Sequence, residues 1–164
     1  VHVLGRGQVM HVSEDYSVII DYAHNGVSFE SIISTVEQYD PRRLIVVYGS
    51  GGKRSKTRRY ESGEVVAKHG GYSILTEDNP RGEKIIDICN DIVVGINKYH
   101  GEYTIIPNRK EAIYHALDMA QKGDVVLLLG KGHETYLIGE DEVRRHFSET
   151  EVLEEYKKER GLNA

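Results

Sequence analysis

The chain has no tryptophan, one cysteine and only two phenylalanines among 164 residues. A lone Cys89 rules out an intramolecular disulfide and a cysteine zinc cluster, so the fold must rest on its own core. No apolar run approaches the ~20 residues that a membrane-spanning helix needs. No secretory signal pattern is visible, and a reducing, cytoplasmic setting is expected, without membrane association. Basic residues are outnumbered: 21 Lys and Arg against 26 Asp and Glu give a net charge of −5, which argues against a general nucleic-acid binder. The first residue is Val1 rather than Met, which reads as a piece of a longer protein. What remains is ordinary. With 39% apolar and 29% charged residues the chain belongs with soluble globular proteins, and its length predicts one domain over residues 1–164.

Apolar, β-branched runs recur at Val18–Ile20, Leu44–Val47, Tyr72–Leu75, Tyr103–Ile106 and Val125–Leu129. Helical patterns lie between them. Phe29, Ile32, Ile33 and Val36 share one face, as do Ile85, Ile88, Ile92 and Ile96, and Ala112, His115, Ala116 and Met119. This alternation predicts an α/β fold: a Rossmann-like, mostly parallel sheet of about six strands with helices on both faces. Near-continuous apolar strands fit burial on both sides. Gln8–Val12 is expected to form an extra strand, hairpinned onto Val18–Ile20 across Ser13-Glu14-Asp15. Ser148 with Glu151 reads as a capping box opening a highly charged outer helix, Glu149 to about Arg160.

In open α/β sheets ligands bind beyond the carboxyl ends of the strands. Each predicted strand is followed there by polar or glycine-rich residues. The segments are Asp21-Tyr22-Ala23-His24, Gly49-Ser50-Gly51-Gly52-Lys53-Arg54, Glu77-Asp78-Asn79-Pro80-Arg81, Asn108-Arg109 and Gly130-Lys131-Gly132-His133-Glu134. One edge of the sheet is therefore expected to be a binding rim. Between Lys53 and Arg59 five of seven residues are basic. Glycines let backbone N–H groups approach an anion and arginines grip carboxylate or phosphate, so this is either an anion site or a solvated basic loop. It is no nucleotide P-loop, since G-x-x-x-x-G-K-[ST] is absent, as is G-x-G-x-x-G. Asp78-Asn79-Pro80-Arg81 taken alone reads as a strand-to-helix turn. His24 and His133 read equally as buried histidines. No spacing supports a protein-only metal site.

Taken in order, Gly5-Arg6-Gly7-Gln8-Val9, Asp21-Tyr22-Ala23-His24, Gly51-Gly52-Lys53-Arg54 with Arg58-Arg59, Asp78-Asn79-Pro80-Arg81, Asn108-Arg109 and Gly130-Lys131-Gly132-His133-Glu134-Thr135-Tyr136 resemble the C-terminal domain of the Mur ligases, within them the branch that adds diaminopimelate. The resemblance runs to about Phe147. It implies the last of three domains in an ATP-dependent ligase of bacterial, cytoplasmic peptidoglycan synthesis. The UDP-sugar domain and the central ATPase domain, with its P-loop and Mg2+ ligands, would lie outside this chain. The implied reaction joins meso-diaminopimelate, or a close analogue, to UDP-N-acetylmuramoyl-L-alanyl-D-glutamate, with ATP and Mg2+ held mainly by the central domain. No catalytic residue and no metal ligand is implied within this domain, which alone should be inactive and monomeric.

Residue by residue, the resemblance implies that Arg54 grips a diaminopimelate carboxylate and that Asp78, Asn79, Pro80 and Arg81 form the amino-acid recognition motif. Gly130, through its backbone, and Glu134 would hold the distal ammonium. Arg6 would reach the ATP phosphates, and Asp21 and His24 the ribose and adenine. Two departures stand out: Lys53 and Ser55 replace acidic residues usual in the family, and Asn108 replaces an aspartate. Rival expectations are a lysine-adding ligase of the same family, against which Arg81 speaks, and a non-catalytic α/β binding module. A nucleic-acid module built on Lys53–Arg59 lacks interleaved aromatic residues.

Overall fold

The structure, a computed structural model, describes residues 7–162. Strand β1 (Gln8–Met10) pairs antiparallel with β2 (Ser17–Asp21). Helix α1 (Gly26–Glu37) leads to β3 (Leu44–Tyr48), α2 (Lys56–Lys68) to β4 (Tyr72–Leu75), and α3 (Ile85–Asn97) to β5 (Tyr103–Ile105). Helix α4 (Arg109–Met119) then returns the chain to β6 (Val125–Leu129). The sheet order is β1-β2-β6-β3-β4-β5, and every pair after β1–β2 in that order is parallel. This is the expected six-stranded α/β sheet. Two further strands that the apolar pattern does not reveal, β7 (Tyr136–Ile138) and β8 (Arg144–His146), form a separate antiparallel hairpin, and α5 (Glu149–Glu159) ends the described chain.

The two-residue period of a strand divides the core. Leu44, Val46 and Tyr48 of β3 and Val125, Leu127 and Leu129 of β6 face one layer, packed on α1, α2 and α3. Ile45 and Val47, with Val126 and Leu128, face the other, packed on α4, α5 and the β7–β8 hairpin. Helix α1 carries a full capping box: the Asn25 side chain accepts from Ser28 N–H, and the Ser28 hydroxyl serves the Asn25 N–H in return.

Three local expectations change. The buried face of α4 is Ala112, Ile113, Ala116 and Leu117, while His115 is exposed, because a shift of one residue rotates the stripe by one helical step. Ser148 caps α5 by accepting from Glu151 N–H, but the Glu151 carboxylate turns to His146 instead of closing the box. Nor does α5 lie wholly outside. Val152, Leu153 and Tyr156 are buried in the second core layer, and Glu149 is buried beneath the rim.

Polar ties hold both ends of the sheet. At the amino end the buried Asp124 carboxylate accepts from Arg42, Arg43 and the Gln121 N–H. Burial pushes its pKa up, but these donors outweigh burial and hold it below the usual carboxylate range. At the carboxyl end Arg109, fully buried, donates to Glu149 at 2.7 Å, to the Glu77 carbonyl at 3.1 Å and to the Leu129 carbonyl at 3.0 Å. Burial raises the Glu149 carboxyl, opposed by Arg109.

A depressed folded pKa stabilises the fold above the unfolded value and is lost as pH falls through the folded one. Asp124→Asn is therefore expected to lose less of its stability than the parent chain between about pH 5 and pH 3, measured by urea unfolding. Glu149→Ala leaves a buried guanidinium without its carboxylate and should cost about 3–5 kcal/mol. Lys110→Ala, which removes an exposed pair with Glu155 and a contact over the Tyr114 ring, should cost no more than about 1 kcal/mol in the same unfolding series.

Candidate amino-acid binding site

The carboxyl ends of β2, β3, β4 and β6 open onto one cleft of about 200 Å³. Arg54, Asp78, Asn79, Arg81, Gly130 and Glu134, from three separate loops, all reach its wall. His24 lies there too, and it is exposed rather than buried, as is His133. Asp21 does not join them. It lines a neighbouring cleft with Gly7, Tyr22 and His133, and its carboxylate accepts from the Ala23 N–H at 3.1 Å. Tyr22 stands between the two clefts and borders both. The sequence therefore groups Asp21 with His24 where the fold separates them. Arg6 lies outside the described residues.

The Asp78–Arg81 turn follows β4 and is tightly held. Asn79 and Arg81 both adopt the left-handed region, with φ of 50° and 48°. Non-glycine residues there are uncommon and cluster at ligand clamps, where neighbours over-determine the conformation. Here the neighbours are explicit. Gly52 N–H donates to the Asn79 carbonyl at 2.9 Å, and a Cβ on Gly52 would lie 1.7 Å from the Pro80 carbonyl oxygen, so only glycine fits. From the other side Ile138 N–H of β7 donates to Asn79 Oδ1 at 2.9 Å. Pro80 itself is buried and accepts from Glu83 N–H, so it shapes the turn and leaves the cleft to its neighbours.

Gly130 ends β6 with φ of 110°, and a Cβ there would lie 2.3 Å from an Asp78 carboxylate oxygen. Its N–H already donates to the Asp21 carbonyl, which leaves its carbonyl as the backbone group for a ligand. Lys131 points inward with no exposed surface. Its Nζ donates to Glu134 Oε1 at 2.8 Å, Asn79 Oδ1 at 3.1 Å and the Tyr136 carbonyl at 2.5 Å.

The basic run divides by burial. Half of it is the first turn of α2, capped by Ser55, whose hydroxyl accepts from Thr57 N–H. Ser55 thus does the capping work open to an aspartate. Lys53 sits in an exposed left-handed turn whose N–H donates to Glu83. Arg59 is buried, bonded to Glu83 and Asp91 at 2.9 Å. The Arg59 guanidinium and the Lys53 N–H hold the Glu83 carboxyl below its usual range. Arg54 and Arg58 are left facing the cleft together with Arg81. Among the described residues these three guanidiniums meet no carboxylate; Arg54 and Arg81 donate only to backbone carbonyls, at 3.4 Å. Arg58 joins the cleft from the first turn of α2, a placement that no local sequence signal gives, because Arg54 precedes the helix and its cap.

The cleft lining thus combines three guanidiniums, of Arg54, Arg58 and Arg81, with two carboxylates, of Asp78 and Glu134. Such a wall suits a small zwitterion that carries carboxylate at more than one end. Among the described residues no group of three or more His, Cys, Asp or Glu side chains is arranged to hold a metal ion. Cys89 is buried away from the cleft, and burial pushes its thiol up to about 12, so it is no nucleophile.

Residues 5–132 match the family model described as Mur ligase, glutamate ligase domain. The chain is 47% identical over 138 residues to the UDP-N-acetylmuramoyl-L-alanyl-D-glutamate--2,6-diaminopimelate ligase of Clostridium perfringens, covering 84% of this chain and 28% of that protein. It is 43% identical over 155 residues to the ligase of the same name from Caldanaerobacter subterraneus, covering 94% and 32%. A solved structure of a ligase with that name superposes with a TM-score of 0.87 at 30% identity, over 96% of this chain and 32% of that one. The chain spans about a third of the length of the relatives it matches. With most of its length matched by the family model, and with relatives above 40% identity, the chain belongs to the Mur ligase family as a glutamate ligase domain.

Proposed function

We propose that this domain receives the amino acid in an ATP-dependent ligase that adds meso-diaminopimelate to UDP-N-acetylmuramoyl-L-alanyl-D-glutamate in bacterial peptidoglycan synthesis. The observation that carries this reading is the cleft itself, where Arg54, Arg58 and Arg81 are open to solvent-borne anions opposite Asp78 and Glu134. Diaminopimelate has two carboxylates and two amines. Arg81 forks onto the distal carboxylate, Glu134 and the Gly130 carbonyl take the distal ammonium, and Arg54 takes the other carboxylate. Lysine lacks the distal carboxylate and would leave Arg81 desolvated without a partner, which disfavours the lysine-adding alternative.

In the proposed reaction ATP phosphorylates the glutamyl γ-carboxylate, releasing ADP, and the free amine of diaminopimelate displaces phosphate from the acyl phosphate to form the amide. This domain's part is to hold the amino acid by its far end so that the near amine is presented, which lowers the entropic barrier of a bimolecular step. ATP and Mg2+ would be held mainly by a central domain outside this chain, in keeping with the absence of a P-loop motif from its sequence. Arg6 and His24 would complete the nucleotide site from this side. Asp21, in the adjoining cleft, would contribute only if the nucleotide extends past Tyr22. The fold is read as a monomer acting in the cytoplasm together with its own partner domains.

In the full-length ligase Arg81→Ala should lower kcat/KM for diaminopimelate about ten- to a hundredfold, the cost of one charge-assisted contact. Use of lysine should change little. Equal loss for both amino acids would show that Arg81 only ends a turn. The 164-residue chain alone should release no ADP in response to diaminopimelate, because phosphoryl transfer needs positioned phosphates and charge neutralisation. Amino-acid-dependent ADP release by a preparation free of contaminating ligase would overturn that expectation. Amide shifts of the chain titrated with diaminopimelate provide the direct binding measurement.

A further inference from the structure

Lys131 is a buried cation for which the proposed reaction has no direct use. Its side chain has no exposed surface, and its three acceptors account for all three ammonium protons. The acceptors belong to three different pieces of the site. Glu134 Oε1 is in the loop after β6, Asn79 Oδ1 is in the recognition turn, and the Tyr136 carbonyl opens β7. The ring of Tyr136 lies 5.0 Å from Nζ and closes the pocket on another side.

This arrangement fixes directions. Asn79 Oδ1 accepts from both Lys131 and the Ile138 N–H, so the amide cannot flip without losing two donors. Its NH2 group is thereby aimed at Glu134, at 3.5 Å from Oε1. Glu134 Oε1 is engaged by Lys131, and Oε2 has only the Tyr136 hydroxyl at 3.5 Å. One carboxylate oxygen is thus tethered inward while the other is left for a ligand on the cleft wall.

We infer that Lys131 is a positioning residue for amino-acid selectivity: by anchoring Glu134 and Asn79 it aims one carboxylate oxygen at the distal ammonium of the bound diamino acid. It touches no substrate and acts through Glu134. A carboxylate on a loop can recognise an ammonium against a water competitor only if its direction is set in advance, and Lys131 sets it. Lys131 does not contact the Arg81 guanidinium, and the turn that carries Asn79 and Arg81 keeps its bonds from the Gly52 and Ile138 N–H groups without Lys131, so Arg81 still reads the distal carboxylate. The two halves of recognition are therefore expected to fail independently. This inference rests on the proposed function.

The test uses the full-length ligase and three amino acids: meso-diaminopimelate, L-2-aminopimelate, which lacks the distal ammonium, and lysine, which lacks the distal carboxylate. In Lys131→Met the preference for diaminopimelate over aminopimelate should fall about ten- to a hundredfold, mostly through KM, as for loss of one charge-assisted contact. The preference over lysine should persist. Glu134→Gln should give the same pattern, and the double variant should lose no more than either single change, because the two act as one unit. If Lys131→Met does not accumulate as folded protein, Lys131→Gln, which retains an amide donor but no charge, should show the same pattern with a smaller fall, and an unchanged preference there together with an unchanged preference in Glu134→Gln overturns the inference. An ammonium preference that is unchanged or raised, a parallel fall in both preferences, or additive losses in the double variant would each overturn the inference. A parent enzyme that does not use diaminopimelate would sink the proposed function itself. A parent that uses it, with a Lys131 variant of unaltered selectivity, sinks only the role of Lys131.

Discussion

Arg109 lies directly under the binding rim, and the spacing of that rim depends on it. Its guanidinium donates to the Glu77 carbonyl and to the Leu129 carbonyl. Those residues immediately precede Asp78 and Gly130, the starts of the two loops that carry most of the cleft. A third bond runs to Glu149 at the start of α5. Strands β4 and β6 are not neighbours in the sheet, since β3 runs between them. Their ladders to β3 set the strands apart, and beyond the last rungs Arg109 ties the starts of the two loops together with a rigid planar donor.

The rim carries many basic residues, yet it is not uniformly positive. The cations divide into two groups. Arg59, Arg109 and Lys131 are buried and engaged by carboxylates and carbonyls. Each is costly to desolvate and is held by several acceptors, so each fixes the geometry around it. Arg54, Arg58 and Arg81 face the cleft and have no carboxylate partner. The buried group therefore builds the frame, and the open group is left on the cleft wall. Asp78 and Glu134 on the same wall keep the cleft from being uniformly positive.

Much of this was legible in the chain itself. The β-branched runs at Val18, Leu44, Tyr72 and Val125 name four strands of the parallel sheet, because a strand buried on both faces has no polar alternation to obscure it. The hairpin at Tyr136–His146 was not legible. Its strands are three residues long, one reads Arg144-Arg145-His146, and it is held by packing of Leu137 and by bonds to the recognition turn. Helix α5 was legible in extent but not in role. Its charged surface hides Glu149, which is buried only because Arg109 comes from 40 residues away to meet it.

The sequence by itself determined the fold class and the order in which polar loops follow strands, because hydrophobic periodicity and turn residues act over a few neighbouring positions. It also determined which residues could serve as an anion clamp. Only the tertiary structure decided which of them reach the cleft. Arg58 and Arg59 are adjacent in the chain, yet one faces the cleft and the other is locked to Glu83 and Asp91. Asp21 and His24 are three residues apart and line different clefts on either side of Tyr22. Lys131 and Glu134 share one short motif, but the ammonium is buried and the carboxylate reaches the cleft. The physical reason is common to all three pairs: burial and hydrogen-bond partners come from strands distant in sequence, and only their juxtaposition fixes which charge must be satisfied inside and which is left for a ligand.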